Sequence, residues 1–157
     1  MTVTVRALVA GEVDLARQLG AVFQSAFAED GANPDAPPPS TAHITRLLAR
    51  EDFHAIVALY EGQVVGGLTA YELVMFQTEH RELFLYDVAV DPPHQRQGVG
   101  RALFQFVQEF CPLRGISAFY VAAHAIDEAA VSFYTATGAK RENVAWFVQE
   151  FDALSGN

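Results

Sequence analysis

Apolar side chains recur along this chain with two spacings, one typical of strands and the other of helices. Short apolar or alternating runs predict six strands, at residues 2–8, 53–60, 64–74, 85–90, 116–123 and 144–151. Apolar positions three or four apart predict helices over 12–28, after Ser40 or Thr41, over 99–110, and from Asp127 to a stop at Gly138. Hairpin-length turns and helical connections both occur, so we expect an α/β fold with a mixed central sheet of six to seven strands and helices on both faces.

Prolines and glycines interrupt these patterns. Residues 29–40 hold four prolines, one glycine and three acids, which predicts an exposed loop. That loop is either a plain connector or a flap that contacts substrate. The pair Gly66-Gly67 suggests a bend or a close backbone approach within the strand 64–74. Cys111-Pro112, followed by Gly115, is predicted to end the helix that starts at Val99.

The composition narrows the class of protein. A chain of 157 residues, half of them hydrophobic, predicts one packed domain spanning residues 1–157. No apolar run is long enough to span a bilayer, no signal peptide is visible, and the single Cys111 cannot form an internal disulfide, so we expect a cytoplasmic protein with no membrane partner. The net charge of −9 argues against a nucleic-acid partner and is compatible with a cationic substrate.

Residues 85–103 carry the strongest local signal. An apolar strand passes through the turn Asp91-Pro92-Pro93 into a loop ending Gly98-Val99-Gly100, and an amphipathic helix follows. The first N–H groups of a helix lack internal acceptors and lie at the positive end of its dipole. Glycines at 98 and 100 leave no Cβ to keep an anion away from those donors. This stretch therefore predicts an anion-binding cradle.

Two separate motifs resemble the GNAT superfamily of acyl-CoA-dependent N-acetyltransferases. Gln95-x-x-Gly98-x-Gly100 is similar to the Q/R-x-x-G-x-G/A loop of that family. The segment DEAAVSFYTATGAKR resembles its N-x-x-A-x-x-[LF]-Y-x-x-x-G-F segment, with Asp127 where Asn is usual and Ala139 where Phe is usual. From about Phe23 to Gly138 the chain looks like the type I aminoglycoside 3-N-acetyltransferases. The likeness weakens in the loop 29–40 and in the last predicted strand, where substrate contacts would be expected.

The resemblance implies acetyl-CoA as the cofactor and suggests which residues bind it. The pyrophosphate would be held by the loop and the start of the helix, and the pantetheine arm would pair with the backbone of the preceding strand. An N–H near Val88 would polarise the thioester carbonyl. The implied cofactor-binding residues are Val88, Ala89, Val90, Gln95, Arg96, Gln97, Gly98, Val99, Gly100, Arg101, Ala102, Asp127 and Tyr134.

Three side chains are candidates for proton transfer. In LFLYDVAV the alternation places Asp87 on one strand face with Leu83, Leu85 and Ala89. A carboxylate in such an apolar run is costly to desolvate, so it needs either a structural partner such as Arg81 or a cationic substrate that it could deprotonate. Tyr134 matches the family tyrosine that donates to the coenzyme A sulfur. His124, at a predicted strand end, is a second base, a substrate contact or simply a solvated histidine.

Substrate contacts are predicted with less detail. Acidic candidates for binding ammonium groups are Glu29, Asp35, Glu79, Glu82, Asp87 and Glu142, with His124 as a further contact. No metal site is predicted, since no histidine or cysteine has ligand spacing.

The leading hypothesis is acetyl transfer to a primary amine of a polycationic small molecule, with an aminoglycoside as first candidate. A polyamine, a small amino compound or a protein amine is the alternative acceptor, and a non-catalytic coenzyme A-binding module is the alternative class. The last predicted strand could pair with another subunit, which leaves a homodimer open.

Overall fold

A computed structural model describes residues 1–31 and 33–151 of the chain. Ala32, within the predicted loop 29–40, and residues 152–157 lie outside the described residues. The chain forms two compact units, one over Met1–Ala122 and one beginning at Ala123. Among the described residues no helix is both long and apolar enough to span a bilayer.

The first unit is built on one five-stranded sheet. Its strands are β1 (Thr4–Ala7), β2 (Phe53–Tyr60), β3 (Gln63–Val74), β4 (Arg81–Val90) and β5 (Ile116–Val121). They lie side by side in chain order, with β1 to β4 antiparallel and β5 parallel to β4. The mixed sheet is confirmed, and the described residues supply five strands rather than the expected six to seven.

The missing strand is the one predicted at residues 144–151, which form no strand in the structure. Apolar, β-prone side chains suggested it, but a strand also needs a neighbour for its backbone hydrogen bonds. Trp146 and Phe147 are 71% and 91% exposed, so this segment does not bury its apolar side chains in the described structure. Hydrophobicity alone was therefore a misleading signal here.

The predicted helices all form. They are α1 (Val13–Ala26), α2 (Thr41–Leu48), α3 (Val99–Leu113) and α4 (Glu128–Ala136), with short 3-10 turns at Ala28–Asp30 and Pro92–His94. The Ser40 hydroxyl caps α2 by accepting from the His43 N–H, as predicted. Helix α3 continues through Pro112 to Leu113, and Gly115, with a φ of 69°, follows its last turn where the sequence predicted the end.

Helices α1 and α3 pack on opposite faces of the sheet, and the two adjacent glycines of β3 mark the contacts. A Cβ on Gly66 would lie 3.0 Å from Val99 Cγ1 of α3, and one on Gly67 would lie 2.5 Å from Leu19 Cδ1 of α1. The predicted close approach at this pair is therefore confirmed. Gly66 in particular lets the first turn of α3 sit directly against the end of the sheet.

A β-bulge in β4 changes which way its side chains face. Leu68 pairs with Val88 and Ala70 with Leu85, so Thr69 of β3 lies opposite two residues of β4, Tyr86 and Asp87. Leu85 shares the α3 face with Gly66, Leu68 and Ala70, since these alternate along β3.

Beyond the bulge the order is reversed. Ala89 pairs with Gly67 and packs in the core cluster that contains Leu19 of α1. The side chain of Asp87 bonds that of Thr69, which lies on this same face. The predicted shared face of Leu83, Leu85, Asp87 and Ala89 was therefore wrong, because strict alternation does not hold across a bulge.

Candidate active site

The predicted anion cradle lies where β4 ends and α3 begins. Ala102 donates its N–H to the Gly98 carbonyl at 3.0 Å, so Ala102, which we had included among the donors, is the first helix residue with an internal acceptor. The N–H groups of Val99, Gly100 and Arg101 have no acceptor within the described ranges. The preceding loop, including Gly98, is exposed. Three amides at a helix start thus lack an acceptor beside an exposed loop, although the Val99 side chain is buried, and unpaired amides of this kind can bind a diphosphate.

The two glutamines of the loop use their side chains to shape it. Gln95 Nε2 donates to the Val90 carbonyl at 3.1 Å, and Gln97 Nε2 donates to the Pro93 carbonyl at 2.9 Å. Arg96 and Gly98 adopt positive φ, 61° and 88°, which turns the chain sharply into α3. Gln95 therefore holds the loop against the end of β4, and it stays a predicted cofactor contact.

Two arginines lie within three residues of these amides along the chain. Arg96 and Arg101 are exposed and pair with no carboxylate in the part of the chain that the structure describes. The chain has a net charge of −9, so two arginines without ion pairs near the unpaired helix amides make this loop suited to binding a polyanion.

The last half of β4 has one open edge. Pairing with β5 extends only to Leu85, opposite Val121, whereas pairing with β3 continues to Val90, opposite Gly66. No described strand pairs with residues 86–90 on the side of β5. An extended amide-containing chain can add to such an edge by backbone hydrogen bonds. The edge leads directly into the cradle, and it contains the predicted pantetheine-binding residues Val88, Ala89 and Val90.

Asp87 lies on this same open stretch of β4. Its carboxylate is partly buried, and Oδ2 accepts from the Thr69 hydroxyl at 2.8 Å. The alternative partner, Arg81, instead bonds Glu72. Oδ1 of Asp87 has no hydrogen-bond partner among the described residues. The neighbouring Tyr86 is 67% exposed, and the partly buried Asp87 keeps one unbonded oxygen that can accept from a cationic ligand.

Residues 123–151 hold the other candidate catalytic groups and are described on their own. Tyr134 lies in α4, half-buried, with its ring 5.5 Å from that of Phe133. Burial, and secondarily the charge of Asp127, raises the pKa of Tyr134 above its usual value. Asp127 caps α4 by accepting from the Ala130 N–H at 2.9 Å, as the sequence predicted. His124 is exposed in the loop after β5. The strand was predicted to reach residue 123, next to His124, but it ends at Val121, three residues before it.

Two of the remaining acidic candidates, Glu79 and Glu82, lie towards the opposite end of β4 from Asp87. Glu82 lies near the start of β4, about 17 Å along the strand from Asp87, and accepts from the Tyr120 hydroxyl. Glu79 lies before β4 and lines a hollow in the β3–β4 hairpin with Phe76 and others. Asp35 and Glu142 are exposed and lie outside the helices and strands, and Glu29 lies in the 3-10 turn after α1.

One charged group escaped the sequence analysis. Glu72 of β3 has a side chain only 1% exposed, and it bonds His54, Arg81 and Arg114. The available signal was a glutamate and a histidine inside otherwise apolar strands, the same signal that drew attention to Asp87. This cluster lies at the start of β4, at the opposite end of that strand from the cradle.

Cys111 is buried on α3 and takes no part in this site. Burial, with a smaller contribution from Glu72, raises the pKa of its thiol to about 11. The thiolate is the reactive form, so a thiol with this pKa is a poor nucleophile at neutral pH.

Comparison with known families identifies the class of protein. The model of the acetyltransferase (GNAT) family matches residues 19–139, and the chain belongs to this family. Members of this family use acetyl-CoA. The unpaired amides, the two arginines without ion pairs and the unpaired β4 edge are suited to binding that cofactor. The bound thioester would supply the acetyl group.

Individual relatives narrow the comparison further. The chain is similar to an aminoglycoside acetyltransferase from an uncultured soil metagenomic sample, with 33% identity and a TM-score of 0.86 over 96% of this chain and 100% of the other. A second aminoglycoside acetyltransferase from such a sample, solved in complex with sisomicin, is 28% identical with a TM-score of 0.85, over 95% and 97% of the two chains.

A curated relative has a different acceptor. The ribosomal protein bS18-alanine N-acetyltransferase of Escherichia coli (strain K12) is 37% identical over 57 residues. That match covers 36% of this chain and spans 38% of the length of the Escherichia coli enzyme.

Proposed function

We propose that this protein transfers the acetyl group of acetyl-CoA to a primary amine of an aminoglycoside, at the 3-amino position. The observation that carries the proposal is Asp87, a carboxylate with one unbonded oxygen on the open edge of β4 that leads into the cradle. Two relatives that align over nearly the whole chain at 28% and 33% identity are aminoglycoside acetyltransferases, which supports the acceptor class. The 3-amino position rests on the sequence resemblance alone.

In the proposed reaction Asp87 acts as the base. The acceptor arrives as an ammonium, attracted by the carboxylate, and gives one proton to Asp87 directly or through a water. The neutral amine nitrogen then forms a bond to the thioester carbonyl carbon, which a backbone N–H near Val88 polarises. The carbon–sulfur bond breaks, the nitrogen gives up its second proton and the sulfur takes one, so the products are an amide and a free thiol.

Tyr134 is proposed as the acid that protonates the departing sulfur. Because its pKa is raised by burial, the phenol keeps its proton throughout the neutral range and can act as a donor. The assignment rests on the motif that Tyr134 shares with the family. His124 stays a candidate for a second base or a substrate contact. Asp35, Glu79 and Glu82 stay candidates for binding further ammonium groups of the acceptor.

A panel of acceptors tests this function. The purified protein is incubated with acetyl-CoA and sisomicin, a polyamine, a small amino compound or a peptide with an N-terminal alanine, and thiol release is followed. We expect release with the aminoglycoside, and NMR of the product should place the acetyl group on the 3-amino nitrogen. Acetylation at another nitrogen would contradict only the position. Thiol release with other amines alone would contradict the acceptor class.

A protein amine is the second candidate acceptor, because the curated relative that matches over 57 residues is a ribosomal protein bS18-alanine N-acetyltransferase. Turnover with the alanine peptide and none with sisomicin would favour it. If acetyl-CoA binds and no amine causes thiol release, the protein is a binding module instead.

A further inference from the structure

Thr69 is bonded twice to the same residue. Its hydroxyl donates to Oδ2 of Asp87 at 2.8 Å. The oxygen of that hydroxyl, Oγ1 of Thr69, also accepts from the backbone N–H of Asp87 at 3.3 Å. A hydroxyl has one hydrogen and two lone pairs, so this geometry commits its hydrogen to the carboxylate. One side chain of β3 thus fixes both the backbone and the carboxylate of Asp87.

The bulge explains why such a tie is needed. Tyr86 and Asp87 together lie opposite Thr69, so the regular pairing between β3 and β4 is interrupted at this point. On its other side this part of β4 has no described strand to hold it, since pairing with β5 ends at Leu85. Without the hydroxyl of Thr69, neither neighbouring strand would fix the direction of the Asp87 side chain.

We propose that Thr69 is a positioning residue, which holds Oδ2 of Asp87 and thereby aims the unbonded Oδ1 at the acceptor ammonium. This inference rests on the proposed role of Asp87 as base. Thr69 itself touches no reacting atom. It acts by limiting the rotation of the carboxylate, and proton transfer is sensitive to such placement because the two heavy atoms must lie within hydrogen-bond reach.

The test compares hydroxyl-bearing and hydroxyl-free side chains at position 69. We expect Thr69→Val to lower kcat by about tenfold to a hundredfold, the range that misplacement of a catalytic group produces, and to leave KM for acetyl-CoA unchanged. Thr69→Ser should retain most of the rate, whereas Thr69→Ala should not. Serine and alanine both lack the methyl group, so their difference isolates the hydroxyl even if the valine variant folds poorly. Thr4→Val, on an exposed strand position, is the matched control and should behave as wild type.

A double-mutant cycle separates positioning from general support of the sheet. If Thr69 acts only through Asp87, adding Thr69→Val to Asp87→Asn should cause no further loss of kcat. An equal loss in both backgrounds, or equal rates for serine and alanine at 69, would overturn the inference while leaving Asp87 as base. If Asp87→Asn alone keeps the wild-type rate, the proposed function fails first, and the two failures are therefore distinguishable.

Discussion

Strands β3 and β4 carry two acidic side chains, Glu72 and Asp87, that differ in burial and in the number and charge of their hydrogen-bond partners. Glu72 is buried, and both of its oxygens accept hydrogen bonds, from His54 and Arg114 on Oε1 and from Arg81 on Oε2. Asp87 is partly buried, has one neutral donor, Thr69, and keeps one oxygen unbonded among the described residues. The two carboxylates lie towards opposite ends of β4.

The difference indicates a structural role for Glu72 and is consistent with the chemical role proposed for Asp87. A buried carboxylate is stable only when it is fully paired, and the three partners of Glu72 come from β2, β4 and the end of α3, so the cluster ties these elements together. Asp87 has no cation to balance it within the described ranges. A carboxylate that is held in place and left without a counter-charge is suited to receive a cationic ligand.

The largest expected effect is on catalysis. Asp87→Asn keeps the size of the side chain and removes the base, so kcat at neutral pH should fall by about a hundredfold to ten-thousandfold, the usual contribution of general base catalysis. Steady-state rates of thiol release with acetyl-CoA and sisomicin measure it. Glu72→Gln serves as the control and should keep the rate per folded molecule. A wild-type rate for Asp87→Asn would contradict the role of base.

The second prediction reverses the comparison and concerns stability. Glu72→Gln leaves Arg81 and Arg114 without their counter-charge, and we expect the free energy of unfolding to fall by about 2 to 3 kcal/mol, somewhat below the cost of breaking a fully buried pair because both arginines reach solvent. Urea unfolding followed by circular dichroism measures it. Asp87→Asn should unfold close to wild type, and so should Asp52→Asn, which breaks the exposed pair with Arg50. A neutral Glu72→Gln would mean that the cluster is not structural.

The same cluster should make stability depend on pH. Burial lowers the pKa of His54 below its usual 6.5, more than the bond to Glu72 raises it, so His54 is neutral at pH 7 and donates its Nε2–H. For Glu72, burial alone would raise the pKa, but the bonds from Arg114, His54 and Arg81 outweigh it and lower the pKa below its usual 4.5.

Both shifts have the same sign for stability. Each group binds a proton less readily in the folded state than in the unfolded chain, so the unfolded state takes up more protons on acidification. Stability should be fully present above pH 6.5 and fall as the pH drops, first through His54 and then below 4.5 through Glu72. Thermal melts between pH 8 and pH 4 check this. His54→Gln should remove the part of the slope nearest pH 6, and an unchanged slope would exclude His54 as its source.

The cradle provides a prediction of intermediate size. Gly98 has φ of 88° and space around its missing Cβ, so Gly98→Ala strains the backbone without a clash. The left-handed conformation costs alanine about 1 to 2 kcal/mol, and the new methyl lies in the open anion region. We expect KM for acetyl-CoA to rise by about tenfold, which corresponds to 1.4 kcal/mol, while KM for the amine changes little. Gly62→Ala, at a positive φ in the β2–β3 turn, is the matched control and should bind acetyl-CoA normally.

Local sequence signals predicted the four helices and the first five strands because these depend on neighbouring residues. Ser40 and Asp127 cap their helices as expected, and Gly98 turns into α3 as expected. The bulge at Asp87 could not be predicted, since it depends on the register between β3 and β4 rather than on either strand alone. The pairing of Glu72 likewise joins residues far apart in the chain, and no spacing rule brings His54 and Arg114 together.

The smallest expected effect comes from a third carboxylate, Glu12, which resembles Glu72 in pairing and Asp87 in exposure. Arg6 bonds both of its oxygens, at 2.7 and 2.8 Å, and the Val9 N–H adds a third bond. These bonds lower the pKa of Glu12 to about 2, and the bond from Arg6 makes the largest contribution. Taken directly, that shift from 4.5 would be worth about 3 kcal/mol. The pair is partly exposed, so solvent screening should reduce its worth to about 1 kcal/mol.

Glu12→Gln should therefore lower the free energy of unfolding by about 1 kcal/mol at pH 7, less than Glu72→Gln. The Glu12 contribution is present above pH 4.5 and disappears as the pH falls towards 2, because protonation removes the negative partner of Arg6. Urea unfolding at low and high salt distinguishes the two carboxylates. The effect of Glu12→Gln should shrink in high salt, whereas that of Glu72→Gln, whose carboxylate is shielded from solvent, should persist. Equal salt dependence would mean that burial is not what separates these two carboxylates.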